Sequence, residues 1–167
     1  MTRVRWDSLP PGVTIAAEWG GRKSPAAQLV EQRKRNRTDK VRQGTVAGTT
    51  IVVDALVPTV NELLGMHHMK RVPVTKMWRD LGATIGLSTP AIVGRVNVEV
   101  WPTAGPRGGI GDTACRVLAV KAIVDGLVDA GVLAEDDTRF IGWERHHPAV
   151  RGDRAELRIE IVPIDLT

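Results

Sequence analysis

Residues 111–137 read GDTACRVLAVKAIVDGLVDAGVLAEDD, and the spacing of their apolar side chains sets the architecture around them. Val117, Val120, Val124 and Leu127 recur at three- and four-residue steps, and Leu118 and Ile123 widen the stripe. Such a pattern predicts a helix with one side buried against a sheet. Asp112 stands at its start, Thr113 shares the capping role, and Gly131 is the C′ glycine that ends it, so the helix is expected to run from about Ala114 to Ala130. Lys121 lies beside the apolar stripe, between acidic residues at the two ends of the helix. One reading pairs it with Asp125, four residues on, as a surface ion pair. The other has it reach toward a metal-and-phosphate site at the rim.

Outward from this helix the chain reads as an α+β domain with a small sheet. TTIVVDALV is a first strand, and PVTKMWRDLGATIGL is a helix in which Val74, Met77, Leu81 and Ile85 repeat at helical steps. AIVGRVNVEVW alternates Val96, Val98 and Val100 with polar residues, and Gly94 after Val93 implies a bulge. PTAGPRGGIG is expected to be a flexible loop that delivers Asp112 to the helix and closes on a bound backbone. TRFIGWERH should be a strand, HPAVRGDR a turn, and AELRIEIVPI a last strand with Leu157, Ile159 and Ile161 inward.

A chain of 167 residues with 43% hydrophobic content can bury one core, so one domain plus an arm is expected. No run of about eighteen apolar residues occurs and the first residues lack an apolar signal block, which predicts a soluble intracellular protein. The single cysteine, Cys115, excludes an intramolecular disulfide and a zinc ribbon, and is read as structural. Charge is uneven: residues 1–48 hold ten Lys/Arg against four Asp/Glu, and the remaining 119 hold thirteen against fifteen. The basic arm has an RKRNR centre, and Arg33, Lys34, Arg35 and Arg37 are candidate phosphate contacts whose binding would depend strongly on salt. The arm is read as disordered or as ordering against a partner.

His67-His68 and His146-His147 are adjacent pairs. Neighbouring side chains diverge on a helix and oppose one another on a strand, so neither pair is read as a zinc site. His67 and His68 are instead expected to face a DNA backbone with Lys70 and Arg71, and His146 and His147 to cap a strand. Trp78 and Trp143 are assigned to the core, and Trp101 to a partly exposed strand end.

The run KAIVDGLVDAGVLAEDDTRFI resembles the signature of the RusA-type Holliday-junction resolvases through Lys121-Ala122, Asp125, Leu127, Ala130-Gly131-Val132 and Asp136-Asp137. Residues 58–79 are similar to the opening segment of that family through Pro58, Asn61, Trp78 and Arg79, and RHHPAVRGDRAELRIEIVP is similar to its final hairpin. The resemblance covers roughly Thr49 to Pro163. It implies a small mixed sheet of about four strands packed with two main helices over residues 49–167, with 1–48 as a basic extension. It also implies an Mg²⁺-dependent endodeoxyribonuclease, with Mn²⁺ as a substitute ion, acting on four-way junctions and other branched DNA as a homodimer in recombination and repair, in the cytoplasm of a bacterial host and encoded by a phage or prophage. Asp112 and either Asp136 or Asp137 would be the metal ligands, Lys121 the phosphate partner, and Asp125 the residue that orients Lys121. Asn61, Lys70, Arg71 and Arg107 join the arm as nucleic-acid contacts.

Ala114 occupies the place of the family's second carboxylate. Two further readings therefore stand beside the nuclease: a non-catalytic junction-binding protein of the same fold, and a basic adaptor whose RKRNR segment recognises RNA or a protein.

Overall fold

The computed structural model describes residues 47–164 together with the backbone of Thr2–Val4. Its elements are β1 (Thr2–Val4), β2 (Thr49–Val53), α1 (Val60–Gly65), α2 (His68–Ser88), β3 (Val96–Ala104), α3 (Val117–Asp129), β4 (Ile141–His146), β5 (Val150–Arg151) and β6 (Glu156–Pro163). They form a mixed sheet in the order β1-β2-β6-β3-β4, an α+β fold as expected, with the four anticipated strands at β2, β3, β4 and β6. The basic residues Arg33, Lys34, Arg35 and Arg37 lie outside the described residues.

Strict alternation makes β3 and β6 the centre of the sheet. Val96, Val98, Val100 and Ala104 of β3 and Leu157, Ile159 and Ile161 of β6 are all buried, while the residues between them are half-buried. The two strands pair antiparallel from Val96↔Pro163 to Thr103↔Glu156. Period-two patterning puts these buried side chains on one face, with Trp101 and Val162 on the other, and α2 and α3 cover the buried face. Ile123 and Leu127 of α3 reach zero exposure in this layer, each contributing on the order of 2 kcal/mol by burial.

Glycines let α2 and α3 pack closely. A Cβ on Gly126 would lie 2.1 Å from the Arg79 carbonyl oxygen, and one on Gly82 would lie 2.2 Å from that of Ile123. Backbone therefore meets backbone where the helices cross, and Arg79 and Asp129 fasten the contact from outside at 2.6 Å.

Four expectations are corrected. The final strands are not a hairpin: β4 pairs parallel with β3, β6 pairs antiparallel with β3, and β3 thus lies between them. The segment after Trp101 is not yet loop, because β3 continues to Ala104, with Pro102 opposite Leu157 and β5 opposite Thr103 and Ala104. Gly94 is not a bulge within a strand; at φ +96° it turns the chain before β3 begins at Val96. The second helix starts five residues before the Pro73 at which it was expected, with Pro73 inside it. Its exposed position near the helix start limits the loss of one backbone hydrogen bond.

Candidate active site

Helix α3 starts at Val117 and not beside Asp112. Residues 113–116 form turns, closed by the Cys115 amide donating to the Asp112 carbonyl at 3.3 Å. The N-cap is Arg116, whose side chain makes no capping bond. It runs inward instead, only 7% exposed, and its guanidinium donates to the backbone carbonyl of Val57. The Val60 amide donates to the Cys115 carbonyl at 2.5 Å, so two contacts fasten the start of α3 to the segment around α1. Because the helix begins late, Val117 and Leu118 are 36% and 40% exposed, and the buried stripe comprises Ala119, Val120, Ala122, Ile123, Val124, Gly126 and Leu127. At its other end Gly131 has the left-handed φ of +74° expected of a C′ glycine.

From this scaffold Lys121 points outward and meets two carboxylates. Its Nζ donates to Asp125 Oδ1 at 2.5 Å and also to Asp136 Oδ2. Asp125 arrives by helical periodicity, one turn on. Asp136 arrives by the turn after Gly131, which folds the acidic segment back toward the helix. Partial burial disfavours the Lys121 ammonium, but its bonds to Asp125 and Asp136 outweigh that and raise its pKa above the ordinary lysine value. The Lys121 hydrogen bond holds Asp136 below the usual carboxylate range, and Asp125 lies within hydrogen-bonding reach of it.

The adjacent Asp137 belongs to a different arrangement. Its carboxylate accepts from the Arg139 amide at 2.9 Å and from the Arg139 guanidinium at 2.5 to 3.2 Å, and its carbonyl accepts from the Phe140 and Ile141 amides. It fixes the entry into β4. Asp112 is exposed in the turn before α3, and no hydrogen bond among the described residues joins its carboxylate to the Lys121 group. Of the sequence-derived site residues, hydrogen bonds thus join Lys121, Asp125 and Asp136, and none among the described residues joins Asp112 or Asp137 to that group.

Among the described residues no group of three or more His, Cys, Asp or Glu side chains is placed to hold a metal ion. Mg²⁺ is content with one or two carboxylates plus waters and phosphate oxygens, so the neighbouring oxygens of Asp125 and Asp136 meet its minimum requirement. Lys121 already shares those oxygens. An ion and the ammonium would compete for them unless the lysine turned to a phosphate.

The remaining candidates lie on the surface. Asn61 is exposed on α1, Lys70 is exposed and Arg71 half-buried in the first turn of α2, and Arg107 is exposed in the turn closed by Gly108 donating to the Gly105 carbonyl. His67 caps α2, its Nδ1 accepting from the Met69 amide at 3.4 Å, and its ring centre is 5.5 Å from that of His68. His146 bonds Glu144 at 2.6 Å, whereas His147 bonds Glu99 at 2.9 Å and stacks on Trp101 at 3.4 Å between ring centres. Trp78 is in the core as expected, but Trp143 is not: it is 38% exposed on the edge strand β4.

Sequence reasoning missed α1 and the role of Arg116. The signal for α1 was present, since Thr59 and Glu62 have the spacing of a capping box and form one: the Glu62 amide donates to Thr59 Oγ1 at 3.1 Å and the Thr59 amide to Glu62 Oε2 at 2.6 Å. No comparable signal announced Arg116, whose acceptor is 59 residues away. No protein-family model matches the chain, and no curated protein matches it.

Proposed function

We propose that this protein is an endodeoxyribonuclease resembling the RusA-type resolvases, hydrolysing phosphodiesters in four-way junctions and other branched DNA. The observation that carries the reading is the convergence of Lys121, Asp125 and Asp136 at the exposed side of α3. A half-exposed ammonium whose proton is held by two carboxylates is suited to a phosphate. It neutralises the charge that accumulates on the phosphoryl oxygens in the transition state, without giving up its proton. Asp125 positions it from one turn away, and Asp136 positions it from the loop. Once Lys121 has turned from these carboxylates to the phosphate, Asp125 and Asp136 would be free to hold Mg²⁺, or Mn²⁺ in its place, which would polarise the phosphate and lower the pKa of a water. Arg71, Lys70, Asn61 and Arg107, with the basic arm, would hold the flanking backbone. Cutting two opposed strands calls for two sites related by a twofold axis, hence a homodimer. Phage or prophage origin and a place in the bacterial cytoplasm belong to the same proposal; among the described residues no helix is long and apolar enough to cross a membrane.

A second reading is favoured by one observation: Asp112, the only carboxylate preceding α3 in that stretch, is not joined to the Lys121 group, and Ala114 supplies none. On this reading the protein grips junctions without cutting them. Incubating a synthetic four-way junction with Mg²⁺ and the wild type, Asp112→Asn, Lys121→Ala, Asp136→Asn or Asp137→Asn, alongside binding in EDTA, separates the two. Paired nicks lost in Lys121→Ala and Asp136→Asn, with binding retained, support the nuclease. Tight binding without cleavage by the wild type overturns it in favour of the binding protein.

A further inference from the structure

Strand β4 carries an aromatic residue that strand alternation alone would have hidden. Ile141 pairs with Val96 on the core face, but the register then slips, so that the next partners are Glu144↔Val98 and Arg145↔Glu99. Three steps along β4 match two along β3, which is a β-bulge at Gly142 and Trp143. Glu144 consequently takes the face of Val98, and Arg145 takes the face of Glu99, away from the helices. Trp143 goes with Arg145, whose guanidinium carbon lies 4.5 Å from the centre of the indole ring.

Gly142 sits at the bulge, close against neighbouring side chains. A Cβ there would lie 2.6 Å from both Asn97 Oδ1 and Ile164 Cδ1, the ends of two flexible side chains that a larger residue would have to turn aside. The result is a 38% exposed indole backed by an arginine that makes no ion pair among the described residues. Further along the same edge, Val150 is 59% exposed and Arg151 is exposed. Arg145 and Arg151 give this edge positive charge. Its first residue, Ile141, four positions after Asp137, donates its amide to the Asp137 carbonyl at 2.8 Å, which ties the start of the edge to the neighbour of Asp136.

We infer that Trp143 and Arg145 form a stacking platform for an unpaired DNA base, with Arg145 and Arg151 neutralising the phosphates on either side of it. An exposed indole offers a π-face that accepts any base, and an adjacent guanidinium adds cation–π attraction and charge neutralisation. The platform takes a strand displaced from its duplex, as at a branch point, and not an intact duplex, whose bases are stacked on one another. This inference rests on the reading of the protein as a DNA-binding enzyme, but it concerns grip and not chemistry.

The test is fluorescence anisotropy of the full chain with a short labelled oligothymidylate and, separately, a labelled duplex of equal length, in EDTA. Trp143→Ala is expected to weaken binding of the single strand about tenfold, the scale of losing one stacked base, with the duplex affected less than twofold and Trp143→Phe retaining most of the affinity. Arg145→Gln is expected to weaken the single strand and to reduce the salt dependence of binding. Circular dichroism and thermal melting of each variant establish that it is folded. Single-strand affinity unchanged in folded Trp143→Ala overturns the inference, as does a shift of the DNA-free protein from dimer to monomer on sedimentation, which would make the patch a contact between copies. Cleavage failing in the wild type while Trp143→Ala still loses the single strand would sink the nuclease reading and leave the platform standing.

Discussion

The two sides of α3 obey opposite rules. Toward α2 and the sheet the helix presents Ala119, Ile123, Gly126 and Leu127, at 1% exposure or less where they belong to the hydrophobic core, and the backbones approach so closely that no Cβ fits at Gly126. Toward solvent it presents Lys121 and Asp125, whose partner Asp136 comes from a loop and whose side chains remain 27% to 48% exposed. The buried side is fixed by shape and intolerant of a single methyl group. The outer side is fixed by charge and contributes little to stability, which leaves its residues available for a substrate. A helix clamped on one face can hold an ammonium steadily on the other without drawing on that ammonium for its own folding.

That contrast breaks most readily from the inside. Gly126→Ala gains up to about 1 kcal/mol in helix propensity, yet its new methyl meets the Arg79 carbonyl oxygen at 2.1 Å and the Ala83 nitrogen at 2.6 Å. The helices must separate, and urea unfolding should show a net loss of about 3 kcal/mol or more. Should Gly126→Ala prove as stable as the wild type, the close crossing of α2 and α3 is wrong. Next in size, and on the outer side, Lys121→Ala should reduce junction cleavage by about a hundredfold or more, the scale of removing one transition-state donor. Its unfolding free energy should stay within about 0.5 kcal/mol of the wild type, because the ion pairs it loses are largely solvated. A large stability loss in Lys121→Ala would mean that the outer side is structural after all.

Arg116 stands between the two regimes, a charged residue used as a buried tie. Arg116→Ala leaves the Val57 carbonyl unpaired in a buried setting and frees the start of α3. The expected cost is about 2 kcal/mol, with faster amide hydrogen exchange confined to α1 and the first turn of α3. Exchange that rises evenly over the whole domain would refute this local role.

How far the sequence revealed this arrangement depended on whether the deciding interaction was local. The period of Val120, Ile123, Val124 and Leu127 and the glycine at 131 located α3 and its end, because both signals lie within a turn of their effect. The start was misread for the opposite reason. Asp112 is a better capping residue than Arg116 by propensity, and only a distant carbonyl draws Arg116 inward and moves the first turn forward. Trp143 was misread because alternation carries across a strand only if its register is unbroken; the bulge at Gly142 and Trp143 is visible only in how β4 pairs with the distant β3. At the candidate site the Lys121–Asp125 pair was legible as an i,i+4 contact. The choice between Asp136 and Asp137 was not, since it turns on how the loop after Gly131 folds back.

That last choice yields the smallest effect and the sharpest distinction between neighbours. Both aspartates have pKa values lowered from 3.8, Asp136 chiefly by Lys121 and Asp137 chiefly by Arg139. A carboxylate depressed in the folded state contributes stability above its unfolded pKa, and that contribution fades as pH falls through the folded one. Each pair should therefore be in place at neutral pH and lost in acid, below the ordinary value of 3.8. The difference lies in screening. The two carboxylates are about equally exposed, but Lys121 is 48% exposed and is held by Asp125 as well, so the contribution of Asp136 should partly persist at physiological salt; Arg139 is 75% exposed, and there salt and side-chain entropy cancel most of its attraction to Asp137. Urea unfolding across the acid range at physiological salt should accordingly give a flatter pH dependence for Asp136→Asn than for the wild type, and an unchanged one for Asp137→Asn. If instead Asp137→Asn flattens the curve and Asp136→Asn does not, then Asp137 is the loop residue that Lys121 holds, and the acidic segment folds back one residue later than the structure has it.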